Sequence, residues 1–351
     1  MRFVCFLIVV AFPFFQYAQA ESLPEPDIQW KHVDFDPDRA SRPADGSYTG
    51  KIIDSHVHFL NGLDNGGVPD VLDKLKIAKV SRALVLPTPN EGIMKTKRGN
   101  ASERRRFVRL GGASAGRLCG STYLTNWMDD AFRGSYSETD LKDRLGRLEA
   151  DLESGGCLGI GEIGPYHFEK KPGMASIHFP FNFKPLMGVV ALAAKMRVPL
   201  DVHAEPMTAD GVSYEKQILS GLALWFGRYP DLKLILSHTA MTSPEILRAL
   251  FEKYPSLMVN MKLVKIGGKL KWDQLHPISN NDNELFEDWA LLMEDFPDRF
   301  MVGTDSRFGA KQYLGKRYRR NIKKIRKVLG SLKPEVAEKI GYLNAERVFG
   351  N

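Results

Sequence analysis

The chain has 351 residues and a formal net charge of +7, with 43% hydrophobic and 26% charged residues. This is the composition of an ordinary globular protein, and it argues against a disordered or low-complexity chain. The length allows one large α/β domain or two smaller ones.

Residues 1–20 predict a secretory signal peptide. Arg2 precedes an apolar run from residue 3 to residue 15, and Ala18-Gln19-Ala20 supplies a cleavage site. The run is shorter than the roughly 20 residues that a transmembrane helix needs. We therefore expect an exported protein, periplasmic or secreted, that starts near Glu21 and has no transmembrane segment after cleavage. An uncleaved membrane anchor is the alternative.

Two further segments follow the signal peptide. Residues 21–50 are rich in proline, aspartate and polar residues, and they predict an extended N-terminal arm. From residue 52 the chain alternates short apolar runs with longer amphipathic ones, which is the pattern of strands and helices in turn. Residues 51–351 are therefore predicted to form one domain that ends in C-terminal helices.

The alternation of elements indicates the fold class. Predicted strands cover residues 51–59, 82–89, 107–113, 157–164, 198–205, 232–239, 257–263 and 299–305. Predicted helices cover residues 68–79, 137–154, 183–196, 213–229, 243–254 and 283–296. Eight strands alternating with helices over about 250 residues predict an α/β protein, a (β/α)8 TIM barrel. An open, doubly wound sheet is the alternative, but its G-x-G-x-x-G sequence is absent after the first strand.

Two other features were interpreted from the same map. Cys119 and Cys157 are expected at opposite ends of the barrel, which favours two free thiols.

Residues 95–117 and 316–327 are strongly basic, and the second stretch has apolar residues at helical spacing. We interpret it as the solvated face of an outer helix, with contact to nucleic acid or an anionic surface as the less favoured alternative.

Candidate metal ligands occur at the C-terminal ends of the predicted strands, which form the active-site face of a barrel. They are His56, His58, Glu162, His203, His238 and Asp305. Residues i and i+2 of a strand point to the same side, so His56 and His58 can both reach one ion. Asp54 shares their direction but lies deeper in the strand, where we expect a supporting role.

These residue types suit a transition metal, and zinc is the favoured ion. A catalytic zinc keeps a position for water and lowers the pKa of that water to about 7. Asp305 can accept the proton and pass it to the leaving group. Arg307, Lys262, Asn260 and His167 are candidate substrate contacts, since they follow or end strands, although plain surface roles are as compatible with their positions. A cationic rim would suit an anionic small-molecule substrate.

Several motifs resemble those of the amidohydrolase superfamily: "IIDSHVHF", "GIGEIG", "LDVHAE", "LILSHTA" and "VGTD". The C-terminal "VAEKIGYLNAERVFG" is similar to the closing helix of the amidohydrolase-related branch. The resemblance implies a distorted (β/α)8 barrel that holds one or two divalent metals.

Carried over by position, the resemblance implies a role for each candidate ligand. His56 and His58 resemble the first-strand metal ligands, and His203 resembles the fifth-strand ligand. His238 resembles the sixth-strand ligand or catalytic histidine, and Asp305 the eighth-strand ligand and proton shuttle. Glu162 is similar to the bridging glutamate of TatD-type nucleases, so two ions bridged by that residue are slightly favoured over one.

The expected function is hydrolysis in which a metal-bound hydroxide attacks an amide, ester, lactone or phosphoester, with Asp305 as general base. The first alternative is a metal-dependent decarboxylase on the same barrel. The second, of another class, is a non-catalytic metal-binding scaffold. A TatD-like nuclease is compatible with the basic charge but less favoured. Neither the substrate nor the oligomeric state follows from the sequence.

Overall fold

The structure is a computed structural model. It describes residues 22–29, 36, 38–59, 63, 67–91, 101–168, 176–266, 276–309 and 315–350. The predicted signal peptide lies outside the described residues.

The strands are short, and most are buried. They are β1 Ser41–Arg42, β2 Ile53–Phe59, β3 Arg82–Leu86, β4 Ala115–Arg117, β5 Ile160–His167, β6 Ile177–His178, β7 Leu200–Ala204, β8 Leu234–Leu236, β9 Met258–Met261, β10 Leu285–Phe286, β11 Phe300–Val302 and β12 Ser306–Phe308.

Helices separate most of these strands. They are α1 Gly67–Ile77, α2 Ala101–Gly111, α3 Ser121–Arg133, α4 Glu138–Glu153, α5 Lys184–Met196, α6 Glu215–Arg228, α7 Pro244–Lys253, α8 Glu287–Asp295, α9 Gly315–Leu329, α10 Pro334–Glu338 and α11 Asn344–Phe349. Ser137 and Ser243 cap α4 and α7 by accepting from backbone amides of the first turn.

The parallel strands follow the order of a barrel. One sheet has the order β12-β2-β3-β4, and the other has the order β11-β9-β8-β7-β5-β6. Backbone bonds join the two sheets: the Cys119 amide donates to the Gly159 carbonyl (3.1 Å) and the Gly161 amide to the Cys119 carbonyl (2.8 Å). On the other side the Asp305 amide donates to the His56 carbonyl (3.0 Å). The strand order is therefore the predicted one, and it places Asp305 beside the first barrel strand.

Two apolar layers hold this arrangement. The larger layer lies between the strands and the surrounding helices. The smaller one is Ile53, Leu84, Leu86, Leu118, Ile235, Met258, Met301, Ala345 and Phe349. Because it joins residues of the barrel strands to two residues of α11, the C-terminal helix covers the end of the barrel opposite the polar site. The polar site is thereby confined to the C-terminal ends of the strands.

The predicted third strand is wrong. Residues 107–113 belong mostly to α2, whose buried residues Arg104 and Phe107 are three positions apart, as on one face of a helix. The strand is β4, which begins at Ala115 and has only three residues. A short apolar run does not distinguish a strand from part of a buried helix, and that ambiguity led to the error.

Two other elements differ in extent. Strand β8 is shorter than predicted, because residues 237–241 form a tight turn instead of continuing the strand. The helix predicted over 283–296 begins later, since residues 285–286 form β10 and pair with β1 of the N-terminal arm. The remaining predicted helices lie where the amphipathic pattern placed them.

Cys119 and Cys157 form a disulfide, so the prediction of free thiols is wrong. Cys119 and Cys157 have their Cα atoms 5.9 Å apart. Because β4 begins later than predicted, Cys119 lies beside the start of β5, not at the far end of the barrel. The Leu158 amide donates to the Arg117 carbonyl (2.9 Å) in the same place, which brings the two sulfur atoms together.

We expect loss of this disulfide to destabilise the barrel. Replacing both residues, Cys119→Ala and Cys157→Ala, opens a loop closed over a separation of 38 residues. The free energy of unfolding should fall by about 4 kcal/mol, because the cross-link restricts the unfolded chain. Urea unfolding of the variant and of the oxidised parent measures the difference. Equal midpoints with equal slopes would contradict the expectation.

Helix α9 has the amphipathic character that its sequence predicted. Tyr318, Ile322 and Ile325 are each 1% exposed and pack into the core, whereas Arg319 and Lys323 are exposed. The basic face is thus the outer face of a barrel helix. None of the helices in the described residues combines the length and apolar character needed to cross a membrane.

Candidate metal centre

Two histidines of β2 form the centre of a buried polar cluster. The residues His56 and His58 are 0% and 1% exposed, and their Nε2 atoms lie 3.2 Å apart. They point to the same side because they are two residues apart in a strand. The H-x-H spacing therefore does what the sequence predicted: it brings two imidazole nitrogens to one point.

Carboxylates surround these nitrogens. The Glu162 Oε2 atom, from β5, lies 3.5 Å from His56 Nε2 and 3.6 Å from His58 Nε2. The Asp305 Oδ1 atom, which follows β11, lies 3.1 Å from His58 Nε2. His56, His58 and Asp305 each offer one ligand atom within 4.8 Å of the others, and so do His56, Glu162 and His238.

The histidine hydrogen bonds show that this cluster fits a cation. His58 Nδ1 lies 2.9 Å from the Leu86 carbonyl, which can only accept, so Nδ1 carries a proton. In the neutral ring, the Nε2 lone pair then faces two carboxylates and a second imidazole nitrogen. Buried groups of this kind are costly unless a positive charge is shared among them. Histidine nitrogen and carboxylate oxygen are common ligands of zinc and related ions, so a divalent ion suits the donor set.

Asp201 and Asn260 lie beside the Nδ1 atom of His56, on the side of the ring away from His58. Asp201 Oδ2 lies 3.5 Å from His56 Nδ1 and accepts from Asn260 Nδ2 at 3.1 Å. Asp201 Oδ1 accepts from the Ser237 hydroxyl at 2.7 Å. A carboxylate on the far nitrogen of a ligating imidazole fixes the orientation of the ring. Asn260 is fully buried, and its Oδ1 accepts from the His238 amide at 3.0 Å. This geometry favours a positioning role over the predicted substrate contact.

His203 lies between two carboxylates. Its Nδ1 is 2.8 Å from Glu162 Oε1, and its Nε2 is 2.9 Å from Glu205 Oε1. The ring of His167, at the end of β5, lies with its centroid 4.9 Å from that of His203. His167, predicted as a substrate contact, is 6% exposed and is one of a group of three that could hold a metal ion with His203 and Glu205.

His238 occupies an unusual backbone turn after β8. Its φ is +58°, in the left-handed region that non-glycine residues rarely adopt. Asp305 is also in this region, with φ of +49°. Such conformations cluster at functional sites. His238 Nε2 lies 3.7 Å from Glu162 Oε1, and its Nδ1 has no hydrogen-bond partner among the described residues.

The carboxylates of the cluster are held in the charged form. Burial would raise the pKa of Glu162, but the neighbouring His56 and His203 hold it well below its usual value. Burial would likewise raise the pKa of Asp305, but Lys262 and Arg307 hold it well below the usual range. The site therefore presents negative charge to an incoming cation.

The pKa values of the histidines are shifted in different directions: those of His56 and His203 are raised, and that of His238 is lowered. Burial would lower the pKa of His56, but Glu162 and Asp201 hold it well above its usual value. Burial would also lower the pKa of His203, but Glu162 and Glu205 raise it. Burial and the Lys262 ammonium both lower the pKa of His238 far below its usual value. Glu162 and Asp201 thus favour positive charge at His56.

Two of the predicted substrate contacts lie beside Asp305. Lys262 Nζ is 2.7 Å from Asp305 Oδ2, and Arg307 Nε is 3.7 Å from Asp305 Oδ1. The Lys262 side chain is 19% exposed and the Arg307 side chain 42% exposed. Both cations therefore line the accessible side of the site, and their contact with substrate remains a prediction.

Sequence reasoning missed Asp201 and Glu205. Both belong to "LDVHAE" and stand two residues before and two residues after His203, so strand alternation points them to the same side. This two-residue spacing from His203 is the sequence signal from which both residues could have been predicted. Asp54, for which a supporting role was expected, accepts from the Thr304 hydroxyl (2.6 Å) and the Tyr318 hydroxyl (3.0 Å).

We expect Tyr318→Phe to lower the free energy of unfolding by about 1 kcal/mol, because a buried oxygen of Asp54 loses one donor. Chemical denaturation measures this. Tyr342→Phe is the matched control, as no hydrogen bond of its hydroxyl is found among the described residues. Equal loss in both variants would contradict the role of the Asp54 contact.

Comparison with known proteins identifies the family. The amidohydrolase family model matches residues 167–350, just over half of the 351 residues. The chain belongs to the amidohydrolase family. The amidohydrolase is thus a metal-dependent hydrolase, and the predicted enzyme class is confirmed. The match includes His203, His238 and Asp305, whereas His56, His58 and Glu162 precede it. No curated protein matches the chain.

Solved structures confirm the barrel fold of this amidohydrolase. An uncharacterized TIM-barrel protein from Bordetella bronchiseptica is 14% identical, with a TM-score of 0.52 over 85% of this chain and 98% of its own. A probable 2-pyrone-4,6-dicarboxylic acid hydrolase from Acinetobacter baumannii is 10% identical, with a TM-score of 0.53 over 86% and 99%. A TatD homologue from Escherichia coli is 14% identical, with a TM-score of 0.53 over 86% and 98%. At these identities the likeness concerns the fold alone.

Proposed function

We propose that this amidohydrolase is an exported enzyme that hydrolyses an amide, ester, lactone or phosphoester of a small anionic substrate. The observation that carries the proposal is the convergence of two imidazole nitrogens and two buried carboxylates at the C-terminal ends of the barrel strands. His56, His58 and Asp305 would hold the catalytic ion, with Glu162 beside them.

When bound, a divalent ion such as zinc supplies an acidified water and polarises the bond to be broken. Asp305 would accept the proton of the attacking water and pass it to the leaving group. Its charged form and its position 3.1 Å from His58 Nε2 support this role. Its backbone is in the left-handed region, and such conformations cluster at functional sites.

The other residues of the site would orient the reactants. His238 is buried and kept neutral, so its ring can donate a hydrogen bond to a substrate oxygen that becomes negative during the reaction. Lys262 and Arg307 lie on the open side of Asp305. Their positive charges would attract a carboxylate or phosphate of the substrate. This argument supports an anionic substrate, without defining its identity.

The disulfide supports export. Disulfides persist in oxidising compartments such as the bacterial periplasm and are rare in the cytosol. A buried disulfide between Cys119 and Cys157 is therefore consistent with the signal peptide predicted at residues 1–20.

Metal removal tests the proposed reaction. Dialysis against a chelator should abolish hydrolysis of a panel of anionic amides, lactones and phosphoesters, and added Zn²⁺ should restore it. The ion-free protein should also melt at a lower temperature, because an ion that binds only the folded state stabilises it. Full hydrolysis after verified removal of metal would contradict the proposal. Release of carbon dioxide without water-dependent cleavage would indicate the decarboxylase alternative instead.

A further inference from the structure

Three neighbouring outer helices form one continuous part of the barrel surface. Helix α1 packs against both α2 and α9. The Arg326 guanidinium of α9 donates to the Lys79 carbonyl, just after α1, at 2.8 Å. A Cβ atom placed on Gly111, the last residue of α2, would lie 3.0 Å from Leu72 Cδ2 of α1. The exposed side chains of these helices therefore lie side by side.

The exposed charges on this part of the surface are almost all positive. In α1, α2 and α9 the one exposed carboxylate is that of Asp73, and α9 has no acidic residue. Cations placed close together repel one another, and an anionic partner relieves that repulsion. The exposed cations of the three helices and of the residues directly after α1 are Lys76, Lys79, Arg105, Arg106, Arg109, Lys316, Arg319, Arg320 and Lys323.

Two large apolar side chains are exposed among these cations. Ile77, the last residue of α1, is 62% exposed, and Leu110, near the end of α2, is 48% exposed. Helices α1 and α2 each follow one of two parallel strands, so both residues lie toward the same end of the barrel. Lys76 and Lys79 flank Ile77, and Arg109 precedes Leu110. Basic residues next to exposed aliphatic ones are typical of protein surfaces that bind anionic membranes.

We propose that α1, α2 and α9 form a docking surface for an anionic lipid bilayer, which we call the docking face. It consists of the nine exposed cations together with Ile77 and Leu110. The cations would contact the phosphates of the lipid headgroups, and the two aliphatic side chains would enter the boundary between headgroups and acyl chains. This interaction goes beyond the reaction proposed for the metal centre and does not depend on it.

The composition of the docking face favours a bilayer over a nucleic acid. Proteins that bind single strands stack the bases on aromatic side chains. The aromatic residues of the three helices, Phe107 and Tyr318, are 0% and 1% exposed, so they are not accessible for stacking. Ile77 and Leu110 would gain free energy by leaving water for a lipid phase, whereas a phosphate backbone offers them no apolar surface.

Binding through the docking face would leave the metal centre accessible. The candidate ligands lie at the C-terminal ends of the barrel strands, whereas the docking face lies on the side of the barrel. Ile77 and Leu110 lie at the ends of α1 and α2, toward the start of the strands that follow these helices. A barrel bound in this way keeps its opening free for a substrate, so lipid binding and hydrolysis can be measured separately.

Co-sedimentation with vesicles tests the docking face. Residues 21–351 are used, because the apolar run at residues 3–15 could itself enter a bilayer. The protein should sediment with vesicles of equal parts phosphatidylglycerol and phosphatidylcholine, and much less with vesicles of phosphatidylcholine alone. Arg319→Gln combined with Lys323→Gln should weaken binding about 25-fold, since each cation near an anionic surface contributes about a factor of five. Ile77→Gln and Leu110→Gln should each weaken it about fivefold, because about half of an aliphatic side chain is available for burial.

Matched control variants change the same residue types elsewhere. Lys142→Gln combined with Lys233→Gln removes two exposed cations that lie outside the docking face. Leu291→Gln changes a leucine that is also 48% exposed, but on α8, which carries four acidic residues. Both controls should bind anionic vesicles within about twofold of the parent, as expected for surface substitutions away from the contact.

Three results would overturn the docking face: no binding to the anionic vesicles at low salt, equal binding to both kinds of vesicle, or equal weakening in the controls and in the variants of the docking face. Tighter binding to a duplex DNA fragment, unaffected by Ile77→Gln and Leu110→Gln, would also overturn it and would assign the cations to nucleic acid. All the substituted side chains are exposed or, in Arg319 and Lys323, on the outer side of α9. Urea unfolding of each variant verifies that the barrel is intact.

Discussion

Asp305→Asn is expected to lower kcat by about 10²- to 10⁴-fold, the usual contribution of a general base. Asparagine keeps an oxygen near His58 and can still contact a cation, but it does not accept a proton at neutral pH. The variant should therefore retain metal while it loses turnover. Steady-state kinetics with parallel metal analysis measures both quantities.

The matched control for this prediction is Asp298→Asn. Asp298 is an exposed aspartate before β11 that pairs with Lys339 at 3.0 Å, so the same chemical change is made far from the site. Its kcat should stay within about twofold of the parent, as for most surface substitutions. Full turnover by Asp305→Asn with metal bound would show that another residue is the base. Loss of the metal from that variant would mean that Asp305 acts first as a ligand.

The candidate ligands could be predicted from the sequence because the strands of a barrel follow a simple rule. A polar residue at the C-terminal end of a buried parallel strand must point into the site or be paired. His56, His58, Glu162 and His203 obey that rule, and the structure brings their side chains together. The same parity applies to Asp201 and Glu205, which the set of predicted site residues does not include.

Other features of the structure could not be predicted from the sequence, for physical reasons. Strand β4 has three residues, and a run that short carries no detectable period. The strand predicted over residues 107–113 overlaps the C-terminal part of α2, and that shift of several residues concealed the contact between Cys119 and Cys157. The left-handed turn at His238 depends on contacts from separate strands, such as the Asn260 oxygen that accepts from its amide. Tertiary contacts of this kind leave no local pattern in the sequence.

Substitution of His56 or His58 should also lower turnover strongly, because it removes a ligand of the catalytic ion. His56→Asn and His58→Asn each remove a nitrogen from the point where the Nε2 atoms meet at 3.2 Å. Affinity for the catalytic ion should fall by more than the roughly 10- to 100-fold that loss of an outer-shell partner produces. At ordinary metal concentrations turnover should fall in parallel, because the ion is no longer bound.

Rescue by excess metal separates this effect from the loss of the base. If His56 and His58 act as ligands, raising the concentration of Zn²⁺ should restore part of the turnover of either single variant, since Asp305 is still present. The same addition should not restore Asp305→Asn, whose metal is already bound. Titration of activity against free Zn²⁺ measures the shift in midpoint. An unchanged midpoint in both histidine variants would remove them from the ligand set and leave their buried cluster a structural feature.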